Sequence, residues 1–568
     1  MKKEIKHTVL NNFYCNTQYK LLRGKRLVAT FSFLMMLLSF QHSFSQGNIA
    51  AEQVDIVKAY QPLLADAEKI DFNAEPALTD TSMTALSYDV KPHLIEVPFI
   101  PAEIRAVSLP AAEPVALQNN FLKAGFGMQL TPLIDLHLHN GNSKSFSYGL
   151  NLHHLSSNGS KINYQDFTHT GIDLFGSAYV GSSVLSATAG YDFRKNYNYA
   201  ETANDSTDND KQDLKRTYIL LPFEIGFQNT NNKNNINYHF GFKYYHFDGQ
   251  SYNSLLLPQK EDYFNFNFLL QKQIQKIHSA NLEFTYENLH NKLIGVYDTA
   301  QSLLSVVPYY QFQQKNILIQ VGVNVNVFDK AVSFFPKLHG EYKLIGEYLI
   351  PYIGWEGGWK PNTLPELTTV NPYLGNTRAA FSKFNDVFLG IKGSYGNNIS
   401  YNLRGGFRSQ TNLPLYLPDQ INPAYYNVEY YYNLNIINVH AEIAYRQSER
   451  LNVVLSGEAN SYDMDFDDQP WGIPKSKLDL TLNYNLQNKI FAQVDFFANS
   501  GAYTMLPSET TSTQLKGRAD VNISLTYDYK KNISGWLAFN NIFGAKNTAW
   551  FNYPTYGFQA MVGVNLKF

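Results

Sequence analysis

The last twelve residues, Gly557–Phe568, read GFQAMVGVNLKF. Every second side chain is apolar and the intervening ones are mostly small or polar; the apolar row is Phe558, Ala560, Val562, Val564, Leu566 and Phe568. Successive side chains of a β-strand point to opposite faces, so the pattern predicts a strand with one apolar and one polar side. Such a strand, ending on an aromatic residue, is typical of the closing strand of an outer-membrane β-barrel, with lipid outside and a polar lumen inside.

The same alternation recurs along residues 121–568. In Ile317–Phe328 a row of Ile and Val opposes a row of Gln, Gly and Asn, and Phe121–Leu130 and Val521–Asp528 follow the same rule. Each stretch is about as long as a tilted strand needs to cross the hydrocarbon core. A soluble β-sandwich or propeller also alternates, but nothing in this region predicts a second core or a helical layer.

The connections between the predicted strands are short and long in turn. Short polar turns occur at sites such as Gly181–Ser183 and Lys530–Asn532, and longer stretches such as Lys360–Lys383 and Ile542–Tyr556 lie between them. Short turns at one end and long loops at the other are the layout of outer-membrane barrels. We therefore predict an all-β, antiparallel transmembrane barrel of about 22 strands, in which Tyr425–Arg446 forms one long strand.

Composition agrees with a barrel and excludes other classes. The chain has 568 residues, 40 Tyr, 39 Phe and 17% charged residues. A helical membrane protein would contain several runs of about 20 apolar residues, and only Leu27–Phe40 comes close. The net charge of −2 gives no attraction to nucleic acid. The single cysteine, Cys15, precedes that apolar run, so a chain cleaved after the run has no disulfide and no cysteine metal site.

Residues 1–45 are predicted to be a secretory signal peptide. Basic residues precede the apolar run, and Ser43–Ser45 offers small residues for cleavage before Gln46. The alternative is a transmembrane anchor, for which the run is short.

Residues 46–120 differ in composition from both neighbours. They contain seven prolines and eleven acidic against four basic residues, and no glycine occurs between Gly47 and Gly125. This density of proline excludes a long helix or a central strand. We predict an extended periplasmic or lumenal segment or, alternatively, a disordered linker. Residues 121–568 then form the outer-membrane barrel.

The end of the chain resembles the C-terminal part of TonB-dependent receptors. The matching features are an Asn-Ile-Phe turn, a Tyr-Pro loop, a glycine and the terminal aromatic residue, at Asn541–Phe543, Tyr553–Pro554, Gly557 and Phe568. Ile56–Pro62 is also similar to a stretch near the start of a group of outer-membrane proteins of Bacteroidota.

The resemblance implies a location in the cell outer membrane and a role in solute uptake. It also implies contact with outer-membrane lipid, assembly by the barrel assembly machinery through the strand ending at Phe568, and a periplasmic partner, TonB or another protein. The residues expected to contact that partner are Val54, Ile56, Val57 and Tyr60. The family carries a glycine-containing plug domain of well over a hundred residues, whereas residues 46–120 lack glycine after Gly47.

A barrel of about 22 strands has an open lumen unless other parts of the protein fill it. We expect residues 46–120 and inward-folded loops to occlude the lumen. The alternative to uptake is a non-transport scaffold or a secretion or envelope-assembly barrel, which binds a periplasmic partner through residues 46–120.

Three polar groups fall on one face of the second predicted strand. Asp135, His137 and His139 are spaced i, i+2, i+4, so all three are expected to point into the lumen. Imidazoles and a carboxylate are ligands for zinc or copper. Lumen-facing positions must be polar in any case, so the simpler interpretation is a polar wall, and no metal is predicted.

Two acidic stretches have the spaced carboxylates of calcium sites but lack the glycine and distal glutamate of an EF-hand loop. They are predicted to be solvated loops; their residues are Asp205, Asp208, Asp210, Asp213, Asp463, Asp465, Asp467 and Asp468. Aromatic residues such as Tyr425–Tyr426 are predicted to belong to interface girdles, or to stack on sugars. No motif such as Gly-x-Ser-x-Gly provides a nucleophile, so neither enzymatic activity nor a cofactor is predicted.

Overall fold

The structure is a computed structural model and forms a closed β-barrel. It describes residues 120–141, 145–159, 162–200, 211–229, 235–253, 256–465, 468–506, 511–544 and 548–568. All of them belong to one compact unit, Ser108–Phe568. The predicted signal peptide and nearly all of the segment 46–120 lie outside the described residues, and so do Val54, Ile56, Val57 and Tyr60.

The barrel wall has 22 strands. They are β1 (Phe121–Gly127), β2 (Thr131–His139), β3 (Phe146–Ser157), β4 (Phe167–Val180), β5 (Ser183–Tyr197), β6 (Lys215–Asn229), β7 (Ile236–Ser251), β8 (Gln259–Gln275), β9 (His278–Leu293), β10 (Tyr297–Gln314), β11 (Ile317–Phe328), β12 (Ala331–Tyr342), β13 (Ile350–Asn362), β14 (Ala380–Tyr395), β15 (Ile399–Thr411), β18 (Leu434–Gln447), β19 (Leu451–Asp463), β20 (Ser476–Leu486), β21 (Ile490–Asn499), β24 (Arg518–Lys530), β25 (Ile533–Asn540) and β28 (Gln559–Lys567).

The remaining elements belong to loops. They are helix α1 (Leu364–Val370) and three short hairpins formed by β16 (Leu413–Pro418) with β17 (Tyr426–Tyr431), β22 (Tyr503–Met505) with β23 (Ser512–Gln514), and β26 (Thr548–Trp550) with β27 (Tyr553–Pro554). No helix in the described part of the chain is long and apolar enough to cross a membrane.

Consecutive wall strands pair antiparallel, and the first strand closes the ring with the last. Phe121 of β1 pairs with Lys567 of β28, and the pairing continues to Gly127 and Met561. The predicted antiparallel barrel of about 22 strands is therefore confirmed. The prediction of one long strand over 425–446 is wrong, because the chain leaves the wall after β15, forms the β16–β17 hairpin and re-enters as β18.

The faces of the strands follow the predicted alternation. In β28 the apolar side chains of Val562 and Val564 are exposed on the outer surface, whereas Asn565 is buried on the lumen side. The outward Phe264 and Phe266 of β8 are likewise exposed. Such an apolar outer belt is stable only in lipid, so the barrel spans a bilayer.

A tryptophan crosses the seam where the barrel closes. The indole of Trp536 on β25 lies over two glycines of the adjoining strands, Gly125 of β1 and Gly563 of β28. A Cβ atom at either glycine would overlap the indole ring. These two positions therefore require glycine because of the close approach of Trp536, which is itself buried.

The two ends of the barrel differ as predicted. The end that carries Phe121 and Phe568 has mostly tight turns. Several of these turns contain a residue in the left-handed backbone conformation, such as Gly181 (φ 59°) and Gly396 (φ 60°). The opposite end carries the long loops, together with three tight connections between β1 and β2, β9 and β10, and β11 and β12. We refer to these as the turn end and the loop end.

Candidate functional site: the loop cap

Long loops from different parts of the wall meet across the loop end. Loops β5–β6, β13–β14, β15–β18 and β25–β28 contribute to one buried apolar cluster. Its members are Tyr199, Ala200, Leu367, Leu374, Tyr416, Ala424, Tyr426 and Tyr553. We call this cluster and the loops that form it the cap.

Aromatic stacking joins the loops of the cap. The rings of Tyr373 and Tyr553 are parallel, with centroids 3.5 Å apart, and Tyr199 packs edge-on against Tyr553 at 4.9 Å. Trp550 contacts the ring of Tyr426 at 5.2 Å. The hydroxyl of Tyr553 donates to the carbonyl oxygen of Ala424 at 2.6 Å. The cap therefore connects residues that are hundreds of positions apart in sequence.

Helix α1 forms the centre of the β13–β14 loop. Its N-cap is Thr363, whose hydroxyl accepts the backbone N–H of Glu366, and Pro365 occupies the first turn. Both features favour helix initiation at this point. Leu364 and Leu367 are buried, so one face of this short helix packs inward.

A buried carboxylate holds the start of α1 against the lumen wall. The backbone N–H of Leu364 donates to both carboxylate oxygens of Glu261 on β8, at 3.1 and 3.0 Å. Tyr245 of β7 donates its hydroxyl to the same carboxylate at 2.6 Å. Glu261 is fully buried. Burial raises the pKa of Glu261 to about 8, although the bonds from Tyr245 and Leu364 oppose this rise. These hydrogen bonds satisfy an N–H group at the start of α1, so Glu261 acts as a latch for the cap.

Further hydrogen bonds tie the β13–β14 loop to the same wall. Arg194 of β5 donates to the Thr369 hydroxyl at 2.7 Å, and the Tyr218 hydroxyl of β6 donates to the carbonyl of Pro372 at 2.9 Å. Gln259 of β8 donates to the carbonyl of Gly375 at 2.8 Å. An apolar cluster packs between this loop and the wall, and it includes Tyr218, Phe247 and Leu289 of the wall and Leu364 of α1. The loop thus rests on β5–β8.

The phenols of the cap are neutral. Burial, reinforced by neighbouring phenols, raises the pKa of Tyr373 and of Tyr553 well above the ordinary value for tyrosine. Burial likewise raises the pKa of Tyr199. The aromatic interior of the cap therefore contains no phenolate at physiological pH.

The predicted lumen strip lies where the alternation placed it. Asp135, His137 and His139 are on the lumen face of β2, but each turns to a different neighbour on β3. Asp135 bonds His153, His137 bonds Asn151 at 2.8 Å and His139 bonds Ser147 at 2.9 Å. Among the described residues, no group of three or more His, Cys, Asp or Glu is gathered as a metal site would require.

The other candidate residues have mixed outcomes. Asp213, Asp463, Asp465 and Asp468 lie in or beside loop-end connections, whereas Asp205, Asp208, Asp210 and Asp467 lie outside the described residues. Tyr425 and Tyr426 were predicted to be girdle or sugar-stacking residues. They are instead buried in and beside the cap, because the β16–β17 hairpin folds inward.

The sequence reasoning missed α1 and the Glu261 latch. A local signal for the helix exists in Thr363–Glu366, where Thr and Glu have the spacing of a capping box. Nothing in the sequence near Glu261 distinguishes it from other polar lumen positions. Its role appears only when the loop that it contacts is placed beside it.

Solved structures with a similar fold include bacterial proteins described as a transporter and as receptors. The iron transporter FrpB of Neisseria meningitidis (F5-1 variant) has a TM-score of 0.63 at 10% identity, covering 80% of this chain and 83% of that one. The siderophore receptor PirA of Acinetobacter baumannii has a TM-score of 0.61 at 8% identity, covering 79% and 80%. The ferric-catecholate import receptor Fiu of E. coli K12 has a TM-score of 0.61 at 11% identity, covering 80% and 82%.

These likenesses confirm the predicted resemblance to TonB-dependent receptors at the level of the fold. Together with the apolar outer belt, they place the barrel in the cell outer membrane. No protein-family model matches the chain, and no curated protein matches it.

Proposed function

We propose that this chain is an outer-membrane uptake protein that admits a solute through a barrel whose outer mouth is closed by its own cap. The observation that supports this proposal is the cap, which extends over the lumen from several loops and rests on the β5–β8 wall. The similar solved structures are described as an iron transporter, a siderophore receptor and an import receptor. They support uptake as the general activity.

The contacts that hold the cap are suited to reversible opening. They are mainly aromatic packing and single hydrogen bonds, and a typical hydrogen bond contributes only about 1 kcal/mol net. A solute that binds the open cap better than the closed one shifts the equilibrium by its difference in affinity for the two states. The cap therefore serves as a gate in this proposal, with Glu261 as its main polar latch.

Conductance in planar lipid bilayers tests the gate. Both variants are made in a chain that lacks residues 47–118, because that segment is also expected to occlude the lumen. Replacing residues 364–377 by a short Gly-Ser linker removes α1 and should convert a low-conductance barrel into a wide, persistent pore. The matched control replaces Lys343–Leu349, a connection at the turn end, by Gly and Ser at equal length, and should stay closed. Heat-modifiable migration on gels verifies that both variants fold. If the α1 variant conducts no better than the control, the cap is not the barrier and the uptake proposal loses its support.

Energised uptake requires a periplasmic partner, and TonB is the partner proposed here. Val54, Ile56, Val57 and Tyr60 are the residues proposed to contact it. Crosslinking of the full-length chain in cells, compared with a variant that has Ser at these four positions, should capture TonB only with the unmodified chain. Capture of a secretion or assembly complex instead would favour the scaffold function over uptake.

A further inference from the structure

Arg216 is a buried cation without a counter-ion in the part of the chain that the structure describes. It is the second residue of β6, and only 5% of its surface is exposed. No ion pair joins it to a described carboxylate, and its Nε and Nη1 atoms have no hydrogen-bond partner there. Its guanidinium lies 5.7 Å from the ring centre of Tyr218, the next lumen-facing residue of β6. Burial of an unpaired charge is strongly unfavourable, so this position requires an anion.

Two carboxylates of the neighbouring lumen wall, those of Asp192 and Glu261, are engaged elsewhere. Asp192 of β5 bonds His169 at 2.5 Å and Arg194 at 3.2 Å. It lies four residues before Asn196, the strand partner of Arg216, and that spacing is about 13 Å along a strand. Glu261 lies two strands away, where it accepts the N–H of Leu364 and the Tyr245 hydroxyl.

The phenols near Arg216 do not supply negative charge. The charge of Arg216 lowers the pKa of Tyr553 slightly, but burial and neighbouring phenols keep that pKa well above its ordinary value. Tyr553 therefore remains protonated, and its hydroxyl donates to the Ala424 carbonyl. Among the described residues, Arg216 therefore has aromatic neighbours but no negatively charged partner.

Two buried amide side chains, those of Asn198 and Asn371, also have polar atoms without a hydrogen-bond partner among the described residues, although the Oδ1 of Asn371 accepts the N–H of Tyr373. Asn198 is fully buried, and its side-chain Nδ2 and Oδ1 atoms have no hydrogen-bond partner among the described residues. Its backbone N–H donates to the carbonyl oxygen of Leu214. Asn198 therefore continues β5 two residues beyond Asn196, the strand partner of Arg216. Asn371, at the end of α1, is fully buried and its Nδ2 has no partner. The next residue, Pro372, accepts the Tyr218 hydroxyl, which brings Asn371 to the same corner of the cap.

We propose that Arg216 binds an oxyanion, a carboxylate or phosphate group of a small molecule, and that Asn198 and Asn371 supply accompanying amide donors. Guanidinium groups bind both kinds of oxyanion through paired, charge-assisted hydrogen bonds. A second guanidinium, that of Arg194, also lies 5.7 Å from the Tyr218 ring and adds positive potential. Because the cap covers Arg216, the anion enters when the cap is open and neutralises the charge when it closes.

The entry of the anion through the open cap and its origin as part of an imported solute rest on the proposed function, whereas the burial of Arg216 does not. Isothermal titration of the full-length chain in detergent, with inorganic phosphate and with citrate as probes at constant ionic strength, tests the site. At least one probe should bind the unmodified chain. Arg216→Gln should weaken that binding at least tenfold, the loss expected for one charge-assisted hydrogen bond.

The matched control is Lys215→Gln. Lys215 is the neighbouring residue of β6, faces the opposite side of the strand and lies over the Tyr252 ring at 4.4 Å. Its removal should leave binding within twofold of the unmodified chain. The proposal is overturned if neither probe binds the unmodified chain, or if Arg216→Gln and Lys215→Gln bind equally well. Phosphate binding without citrate binding, or the reverse, identifies which oxyanion the site takes.

Thermal unfolding with chloride as the only anion gives a second readout. Removal of an uncompensated buried charge should leave the melting temperature of Arg216→Gln equal to or above that of the unmodified chain. A clear fall would mean that a carboxylate of this chain already neutralises Arg216, and the site would be excluded. Both measurements are independent of the bilayer conductance test, so the anion site and the uptake function can fail separately.

Discussion

The lumen wall differs between strands β6–β10 and strands β19–β21. The first group has 15 to 18 residues per strand, and its upper lumen-facing side chains, such as Tyr218, Glu261 and Leu289, are buried. The second group has 10 to 13 residues per strand, and its lumen-facing Lys477 and Asp479 are exposed. The same alternation rule therefore produces a covered wall on one side and an open wall on the other.

Strand height accounts for much of this difference. β8 has 17 residues and β21 has 10, and the seven extra residues add roughly 23 Å along the strand. Near the loop end, outward residues of β7–β10 are charged rather than apolar, for example Lys260, Asp262 and Asp298, so this part of the wall stands above the lipid. The cap is seated on this raised wall, where lumen side chains gain partners from the β13–β14 loop.

Removal of the central ring of the cap should have the largest effect. Tyr553→Ala deletes the ring that stacks on Tyr373 and packs against the edge of Tyr199, and burial losses of this kind cost roughly 3–5 kcal/mol. Amide hydrogen exchange of residues 363–379 should accelerate more than a hundredfold, whereas exchange in β20 and β21 should not change. Tyr553→Phe removes only the bond to Ala424 and should cost about 1 kcal/mol. Equal effects of the two substitutions would show that ring packing does not hold the cap.

Loss of the latch should have the next largest effect. Glu261→Ala removes the acceptor for the Leu364 N–H and the Tyr245 hydroxyl, and should weaken cap docking by roughly 2–3 kcal/mol. Bilayer recordings should then show frequent openings. Glu261→Gln keeps a side-chain oxygen as acceptor, and its frequency of openings should lie between those of the unmodified chain and of Glu261→Ala. Asp479→Ala on the open wall is the matched control, and comparable openings in it would remove the distinction between the two walls.

A single hydroxyl contact should contribute less. Thr369→Val keeps the shape of the side chain but removes the oxygen that accepts from Arg194, and should weaken docking of α1 by about 1 kcal/mol. Limited proteolysis of the β13–β14 loop should become several times faster. If the rate does not change, the Arg194–Thr369 hydrogen bond contributes nothing to the docking of α1.

Acid should loosen the β16–β17 hairpin. Burial opposes ionisation of Asp419, but the N–H groups of Asn422 and Ile421 and the Asn427 amide bond its carboxylate and hold its pKa below the ordinary 3.8. A lowered pKa gives stability that is complete above the unfolded-state pKa and is lost as pH falls through the folded-state pKa. Exchange at residues 419–427 should rise below about pH 4. Asp419→Asn should remove this pH dependence, and its persistence would assign the effect to another group.

The sequence predicted the wall in detail. The bounds of β11 are those of the predicted strand Ile317–Phe328, and the lumen and lipid faces of β28 are as predicted. Asp135, His137 and His139 share the lumen face, as their spacing requires. These successes have one cause, because lipid outside and polar groups inside impose a period of two on every strand, and a short window of sequence shows that period.

Two loop predictions were wrong for a common reason. The segment 425–446 has the composition of a strand throughout, yet its first part turns into the mouth as β17, and Tyr425 and Tyr426 are buried there rather than at the membrane interface. The alternation of residues indicates that the ring of a tyrosine lies in apolar surroundings, but it does not indicate whether lipid or another loop provides them.

The amino-acid sequence by itself determined the barrel and the faces of its strands, because both depend on alternation within a single strand, and the spacing of the connections indicated about 22 strands. Only the tertiary structure decided the cap, the role of Glu261 and the isolation of Arg216. Those features arise where loops from distant parts of the chain meet, as Tyr373 and Tyr553 do, and no local pattern of residues records which loops will meet.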